Sequence, residues 1–348
     1  MKKKNLLFLF SLTSLTLASI GDNLPEFQNC LTDCDCQTIP QSIFWSCLAN
    51  CNYFCQQHIT NIREAQGDPT VQFYGKWPFI RVFGFQEFFS TIFSLMNLYV
   101  NYKNITPIFR QYRRNDNIYG YKTMYLQYLG LLIVSCVGWG FSAMFHFKDT
   151  KITETLDYFG AFAIVLSNLN VIVVRVFHLF APSRSIILLF WHVLLIMFYI
   201  THVTMLKMDW DYGYNTTVNI IVGVSTMVLW CVHSWTVYGT YSKNYIVCNN
   251  SIQLLPHETK LLHKLTYLSM SAKSSLIPLI PILNNLILVC GIMLELNDFP
   301  PWGRLIDAHA LWHLLTVYPS FIWFDWNIWD VEMMKIFNDG TKKKIELM

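Results

Sequence analysis

Charge is scarce in this chain. Only 14% of its 348 residues are Asp, Glu, Lys or Arg, whereas a soluble domain carries about 25%. That shortage excludes a long soluble chain built around one large core. The net charge of +3 is too small to point to a nucleic-acid partner. Repeats at solenoid periods are lacking, and so are low-complexity linkers. Apolar and aromatic residues are plentiful instead, at 53% and 16%. The chain reads as an all-α polytopic membrane protein.

Charge position carries more information than charge number. Lys2, Lys3 and Lys4 precede an apolar run from Leu6 to Leu17. That run is too short to span an apolar layer needing about 20 helical residues. Small residues follow at Ala18, Ser19 and Gly21. The pattern is that of a secretory signal peptide over 1–21; the competing reading is a retained signal anchor. Residues 22–82 then form a small cysteine-rich domain. Cys30, Cys34, Cys36, Cys47, Cys51 and Cys55 are six of the ten cysteines. An even, dense set in an oxidising lumen reads as disulfides. Zinc is the alternative, and the lack of paired C-x-x-C spacing argues against it. Cys47, Cys51 and Cys55 are spaced by four and share one face if helical. Cys136, Cys231, Cys248 and Cys290 are scattered in or beside apolar stretches, as packing residues.

Gly75-Lys76-Trp77-Pro78-Phe79-Ile80-Arg81 mixes aromatic and basic residues and suits the headgroup layer. Apolar stretches follow at about 84–102, 124–146, 157–177, 186–204, 217–238, 275–296 and 306–326. They predict a seven-helix transmembrane domain over 83–327, followed by a tail over 328–348. With the N-terminus lumenal, fourteen Lys and Arg fall in the segments then placed in the cytosol and the tail. Lys103, Arg110, Arg113, Arg114 and Lys122 lead that set. Only Lys148, Lys151, Lys207 and Arg304 fall in lumenal loops between spans. The asymmetry fits a lumenal N-terminus and a cytosolic C-terminus.

That topology gathers five polar residues at one membrane face: Ser142, His146, Asp157, His309 and His313. Ionisable groups at membrane depth are costly and usually functional. Ser142 and His146 are four apart, as are His309 and His313, so each pair shares a helix face. His146, His309 and His313 supply three nitrogen ligands and leave a fourth position open, as in a catalytic zinc site. Asp157 is the candidate base for a water, and Ser142 the candidate donor to the water or the oxyanion. The competing Ser–His–Asp triad leaves two histidines idle. The other histidines (His58, His178, His192, His202, His233, His257 and His263) lack partners at matching depth. Arg175 is expected to snorkel to the cytosolic interface. Glu87 is placed near the lumenal site. Asp149 and Glu154 are expected as loop charges or second partners of the histidines. Asp209 to Asn215 is expected as a turn with interfacial aromatics.

At these residues the chain resembles the post-GPI-attachment-to-proteins factor 3 family and its fungal members. These belong to the seven-span hydrolase superfamily that also holds alkaline ceramidases and adiponectin receptors. The resemblance rests on Trp45 with Cys47, Cys51 and Cys55, on Gly75 to Phe79 with Arg81, and on Gln86-Glu87, Ser90, Ser94 and Asn97. It continues through Trp139, Ser142, His146, Asp149, Asp157-Tyr158-Phe159 and Asp307-Ala308-His309 to Trp312-His313. Lys148 departs from the arginine usual there and keeps its charge. The resemblance implies a zinc-dependent phospholipase A2-type hydrolase that removes the sn-2 acyl chain from GPI-anchored proteins. The expected setting is the endoplasmic reticulum or Golgi membrane. Alternatives are a ceramidase-like amide hydrolase and a non-catalytic seven-span lipid receptor or assembly factor.

Overall fold

The computed structural model describes residues 19–35, 43–249, 257–268 and 273–346. The expected signal peptide and Cys36 lie largely or wholly outside them. The described residues are helical, with isolated β-bridges and no strands. The helices are α1 (Pro25–Asp33), α2 (Cys47–Gln66), α3 (Phe88–Arg114), α4 (Tyr121–Phe147) and α5 (Lys151–Val176). Then come α6 (Ser185–Met208), α7 (Tyr212–Asn249), α8 (Glu258–Thr266), α9 (Ile280–Asn297) and α10 (Ala308–Glu346).

Five helical segments are long and apolar enough to cross a membrane: Tyr121–Phe147, Lys151–Val176, Pro182–Met208, Tyr212–Ser242 and Ser274–Asn297. The protein is therefore a multi-pass membrane protein. Of the seven expected spans, α3 and α10 do not meet that measure, and their sequences say why. Ser90, Ser94, Asn97, Asn101 and Asn104 follow one another at spacings of four and three, and all are buried. They form one stripe along α3. The asparagines satisfy themselves locally: Asn101 Nδ2 donates to the Asn97 carbonyl at 2.9 Å and Asn104 Nδ2 to Val100 at 2.8 Å. Buried Asp325, Asn327 and Asp330 lower the hydropathy of α10 in the same way.

Helix neighbours close into a ring. α3 packs on α4, α4 on α5, α5 on α7, α7 on α9, α9 on α10, and α10 back on α3. α6 stands outside, against α5. Its exposed Ile186, Leu189, Phe190, Val193 and Leu194 are what a lipid-facing helix presents. Within the ring Trp230 meets Trp323 edge-on at 4.4 Å. Arg175 is buried and donates to both Asp330 oxygens, at 2.6 and 3.0 Å. This corrects the expectation that it snorkels: a partner inside the bundle outcompetes the interface. Likewise His233 lies 3.4 Å from Asp330, and His257 lies 3.5 Å from Asp325. The sequence reading had left both without partners. The expected boundary between bundle and tail at 327/328 falls inside α10, whose Ile328, Trp329 and Val331 are fully buried.

The cysteine-rich segment is a helix pair. Disulfides join Cys30 to Cys55 and Cys34 to Cys51, so these four are not zinc ligands. Cys47 is also disulfide-bonded. Phe27, Ile59, Val71 and Phe73 fill the space between α1, α2 and the following turns. The pair is tied to one end of the bundle. Arg304 donates to Glu64 at 2.5 Å, Trp77 Nε1 to Asp298 at 2.8 Å, and Trp45 Nε1 to the Gly84 carbonyl at 3.0 Å. Gly84 has φ +86°, in a turn that delays α3 to Phe88.

Candidate metal centre

Two close helix crossings build the site. At the first, a Cβ on Gly160 of α5 would come within 3.0 Å of Gly138 Cα on α4. Small residues let the two backbones approach this closely. Ser142 lies one turn beyond Gly138, and Asp157 one turn before Gly160. Asp157 accordingly comes near Ser142 and the histidines. Thr150 caps α5, its Oγ1 accepting from Thr153 N at 3.2 Å. The helix therefore begins earlier than the apolar stretch suggests, and Asp157 falls in its second turn. At the second crossing, a Cβ on Gly291 of α9 would meet the Trp312 ring at 2.4 Å. Glu295 lies one turn further along α9, beside His309.

His146, His309 and His313 converge. Their ligand atoms lie within 4.8 Å of one another. His309 Nε2 is 2.8 Å from His313 Nε2 and 3.3 Å from His146 Nε2. His146 and His313 are almost fully buried, while His309 is partly open. Each Nδ1 has a partner of its own. His146 Nδ1 donates to Glu87 Oε2 at 2.6 Å, and His309 Nδ1 to Glu295 Oε2 at 2.8 Å. His313 Nδ1 is 2.9 Å from Ser94 Oγ. Ser94 also reaches the Ser90 carbonyl at 2.8 Å, which can only accept, and lies 3.1 Å from Ser142 Oγ.

These contacts decide the tautomers. A carboxylate cannot donate, so the protons of neutral His146 and His309 sit on Nδ1. The Nε2 lone pairs then face one another across a few ångströms. Such a cluster repels itself unless a cation lies between. Three neutral imidazole nitrogens, two backed by carboxylates, are a donor set that fits zinc. His146, His309 and His313 would hold it.

Lys76 reaches in from the Gly-Lys-Trp-Pro-Phe run. Its Nζ is 2.7 Å from Glu87 Oε1, 3.0 Å from Asp149 Oδ2, and 4.0 Å above the Phe145 ring. Burial alone would lower its pKa, but Glu87 and Asp149 outweigh burial and raise it. Lys76 therefore stays charged and holds Glu87 against His146. Asp149 is thus an ion-pair partner rather than a solvated loop charge, and Glu154 accepts from Tyr212 OH at 2.5 Å. Asp211 Oδ1 accepts from Gly213 N and Tyr214 N and so starts α7.

Sequence reasoning did not assign Glu295 to the site. It is a lone carboxylate in an apolar stretch, and that was the available signal. Asn97 was also left without a role: its Nδ2 donates to the His313 carbonyl at 2.8 Å and to Thr316 at 3.0 Å. Trp139 meets His313 edge-on at 5.3 Å.

Comparison with known proteins adds lineage. Residues 38–331 match the model of the Per1-like family. The chain is 32% identical to Protein PER1 of Saccharomyces cerevisiae over 91% of its length and 93% of that protein's. It is 30% identical to Post-GPI attachment to proteins factor 3 of Drosophila melanogaster, covering 92% and 91% of the two chains. It is 27% identical to GPI-specific phospholipase A2-like PGAP3 of Xenopus laevis, covering 96% and 98%. No solved structure is significantly similar to it.

Proposed function

The chain belongs to the Per1-like family, and from that premise we propose that it is a zinc-dependent acyl ester hydrolase. Its proposed substrate is the GPI lipid of anchored proteins, from which it removes the sn-2 chain during remodelling. The names of its relatives support the lipid. One observation carries the chemistry: three histidine Nε2 atoms converge, two of them backed by carboxylates, beside the Ser142–Asp157 pair.

When bound, zinc supplies Lewis acidity that polarises an ester carbonyl and acidifies water. The chain's own residues do the rest. Asp157 takes the proton of the attacking water. Ser142 orients that water or donates to the oxyanion as charge develops on the carbonyl oxygen. The buried walls on α3, α4 and α10 exclude bulk water from His146 and His313. No acyl-enzyme is required.

The full reading has seven spans, with α3 and α10 completing the five apolar helices. Their place in the helix ring supports this. The polar stripe of α3 and the histidines of α10 then face the interior. The cysteine-rich domain over 22–82 and the metal centre lie on the lumenal side of an endoplasmic reticulum or Golgi membrane. A signal peptide over 1–21 precedes them, the hydrolase domain of 83–327 continues into the buried part of α10, and the end of the 328–348 tail is cytosolic. The positive-charge bias supports this orientation.

Metal analysis and turnover on the purified chain test the reading. The wild type is expected to hold one zinc and cleave a GPI lipid ester, and His313→Ala to lose both. A metal-free, inactive wild type would leave a receptor or assembly factor. Lipid analysis of cells lacking the protein separates the two enzymatic options. GPI lipids that keep the sn-2 chain support the proposal, and accumulated ceramide would mark an amide hydrolase.

A further inference from the structure

Among the described residues, two cations near the candidate metal centre have no carboxylate opposite them. The Arg81 guanidinium lies 3.6 Å over the Trp45 ring and 4.4 Å over the Tyr53 ring. It donates to Asn50 Oδ1 at 3.0 Å and to the Ala49 carbonyl at 3.2 Å. Lys148 Nζ lies 5.5 Å from the same Trp45 ring and donates to the Phe44 carbonyl at 2.8 Å. Among the described residues every partner of the pair is neutral. The nearest acids in sequence are engaged elsewhere: Asp149 and Glu87 are both turned to Lys76. Two positive charges thus remain uncompensated around one indole.

Their setting is interfacial. Phe83 is 84% exposed and Ile43 99% exposed, and Phe44 is also exposed. Cations behind an exposed apolar tip suit the headgroup layer, where the tip enters the acyl region and the charges stay at phosphate depth. The place is tied to the metal centre through the backbone. Gln86 N donates to the Phe147 carbonyl and Glu87 N to the His146 carbonyl, both at 3.0 Å. Lys148 follows His146 by two residues. Arg presents a fixed fork of donors that matches phosphate, while Lys adds a mobile point charge.

We propose that Arg81 and Lys148, on either side of Trp45, bind the phosphate of an anionic glycerophospholipid at the mouth of the metal centre. The assignment deepens the hydrolase reading and rests on it for its role. In a glycerophospholipid the phosphodiester and the acyl esters share one glycerol, so an anchored phosphate presents the ester to the site.

Binding can be measured without turnover. The full chain is placed in phosphatidylcholine nanodiscs with chelator and titrated with a fluorescent ether-linked phosphatidylinositol, which cannot be hydrolysed. Lys148→Gln loses the contact to the Phe44 carbonyl and the cation near the Trp45 ring, both at the exposed edge, and should fold normally; Arg81→Lys keeps the charge and removes the fork. Each is expected to weaken binding roughly tenfold, the loss of one charge-assisted contact. Unchanged binding in Lys148→Gln would overturn the site. Inorganic phosphate is the second arm: displacement of the lipid at millimolar phosphate would make this a free-anion site and overturn the lipid assignment. The hydrolase reading fails separately. An inactive, metal-free wild type whose binding still depends on Lys148 leaves this site standing. An active enzyme with wild-type binding in Lys148→Gln leaves only the hydrolase.

Discussion

At the scale of single residues, the proposed mechanism divides the site into groups that act and groups that aim. Asp157 lies near Ser142 and the histidines, and Ser142 Oγ is 3.1 Å from Ser94 Oγ, which reaches His313. Asp157→Asn removes a base while keeping its shape. It is expected to retain zinc, measured by elemental analysis, and to lose roughly 10²–10⁴ in turnover. Ser142→Ala should lose a comparable factor as an oxyanion donor. The triad alternative requires a covalent adduct on Ser142, so acylated Ser142 in mass spectra of enzyme trapped with a slow ester would overturn the mechanism. Glu87 and Lys76 aim. Glu87→Gln and Lys76→Met should reduce zinc affinity by about 10–100-fold, as loss of a carboxylate behind a ligating histidine does; a competitive chelator titration reads this directly. The three histidines and Asp157 stood out because ionisable side chains interrupt apolar stretches at one predicted face, and Ser142 because it lies one helical turn before His146. Ser94 and Lys76 carried no such mark: a serine in an apolar helix is ordinary, and a lysine beside Trp77 reads as an interfacial anchor. Their roles come from tertiary contacts that spacing does not encode.

At the scale of helices, the stretches at 84–102 and 306–326 read as spans, yet α3 and α10 fall short of the measure that five other helical segments meet. α6 stands outside the ring, whereas α3, with its buried polar stripe, and α10, with His309 and His313, look least membrane-like. The reason is physical: a helix facing a polar interior replaces apolar side chains with Ser, Asn and Asp, and these cancel the signal used to find it. Arg175 shows the same blindness. Its partner Asp330 lies 155 residues away, so sequence alone left it at an interface. Removing one member of a buried ion pair costs about 3–5 kcal/mol, because the other is left unpaired. Asp330→Asn should therefore lower stability by that amount in detergent unfolding. The double change Arg175→Met with Asp330→Leu should cost less than the single one. Equal stability of Asp330→Asn and the wild type would show that the pair does not hold α5 to α10.

At the scale of the whole molecule, a disulfide-bonded helix pair, the cap, meets a helix ring, and the three-histidine cluster lies where they join. Six cysteines crowded into 30–55 forecast disulfides there, but the pairing of Cys30 with Cys55 and Cys34 with Cys51 needed the fold of α1 on α2. The cap reaches the site through Lys76 and is held down by Arg304–Glu64 and Trp77–Asp298. Loosening it should therefore be felt at the metal. The pair Cys30→Ser with Cys55→Ser removes a cross-link whose loss from a small secreted domain costs about 2–5 kcal/mol. The Cys30–Cys55 cross-link lies within the cap, so the helix ring should remain assembled. Size-exclusion profiles should stay those of the wild type. The cap should open to limited proteolysis, and zinc affinity should fall toward that of Lys76→Met, because both changes withdraw the same ammonium from Glu87. Combining them tests the route. If Lys76→Met adds nothing to the disulfide variant, the cap acts on the centre through this lysine. If the two losses add in full, the cap supports the centre by another path, and the coupling argued from the Lys76 contacts is wrong.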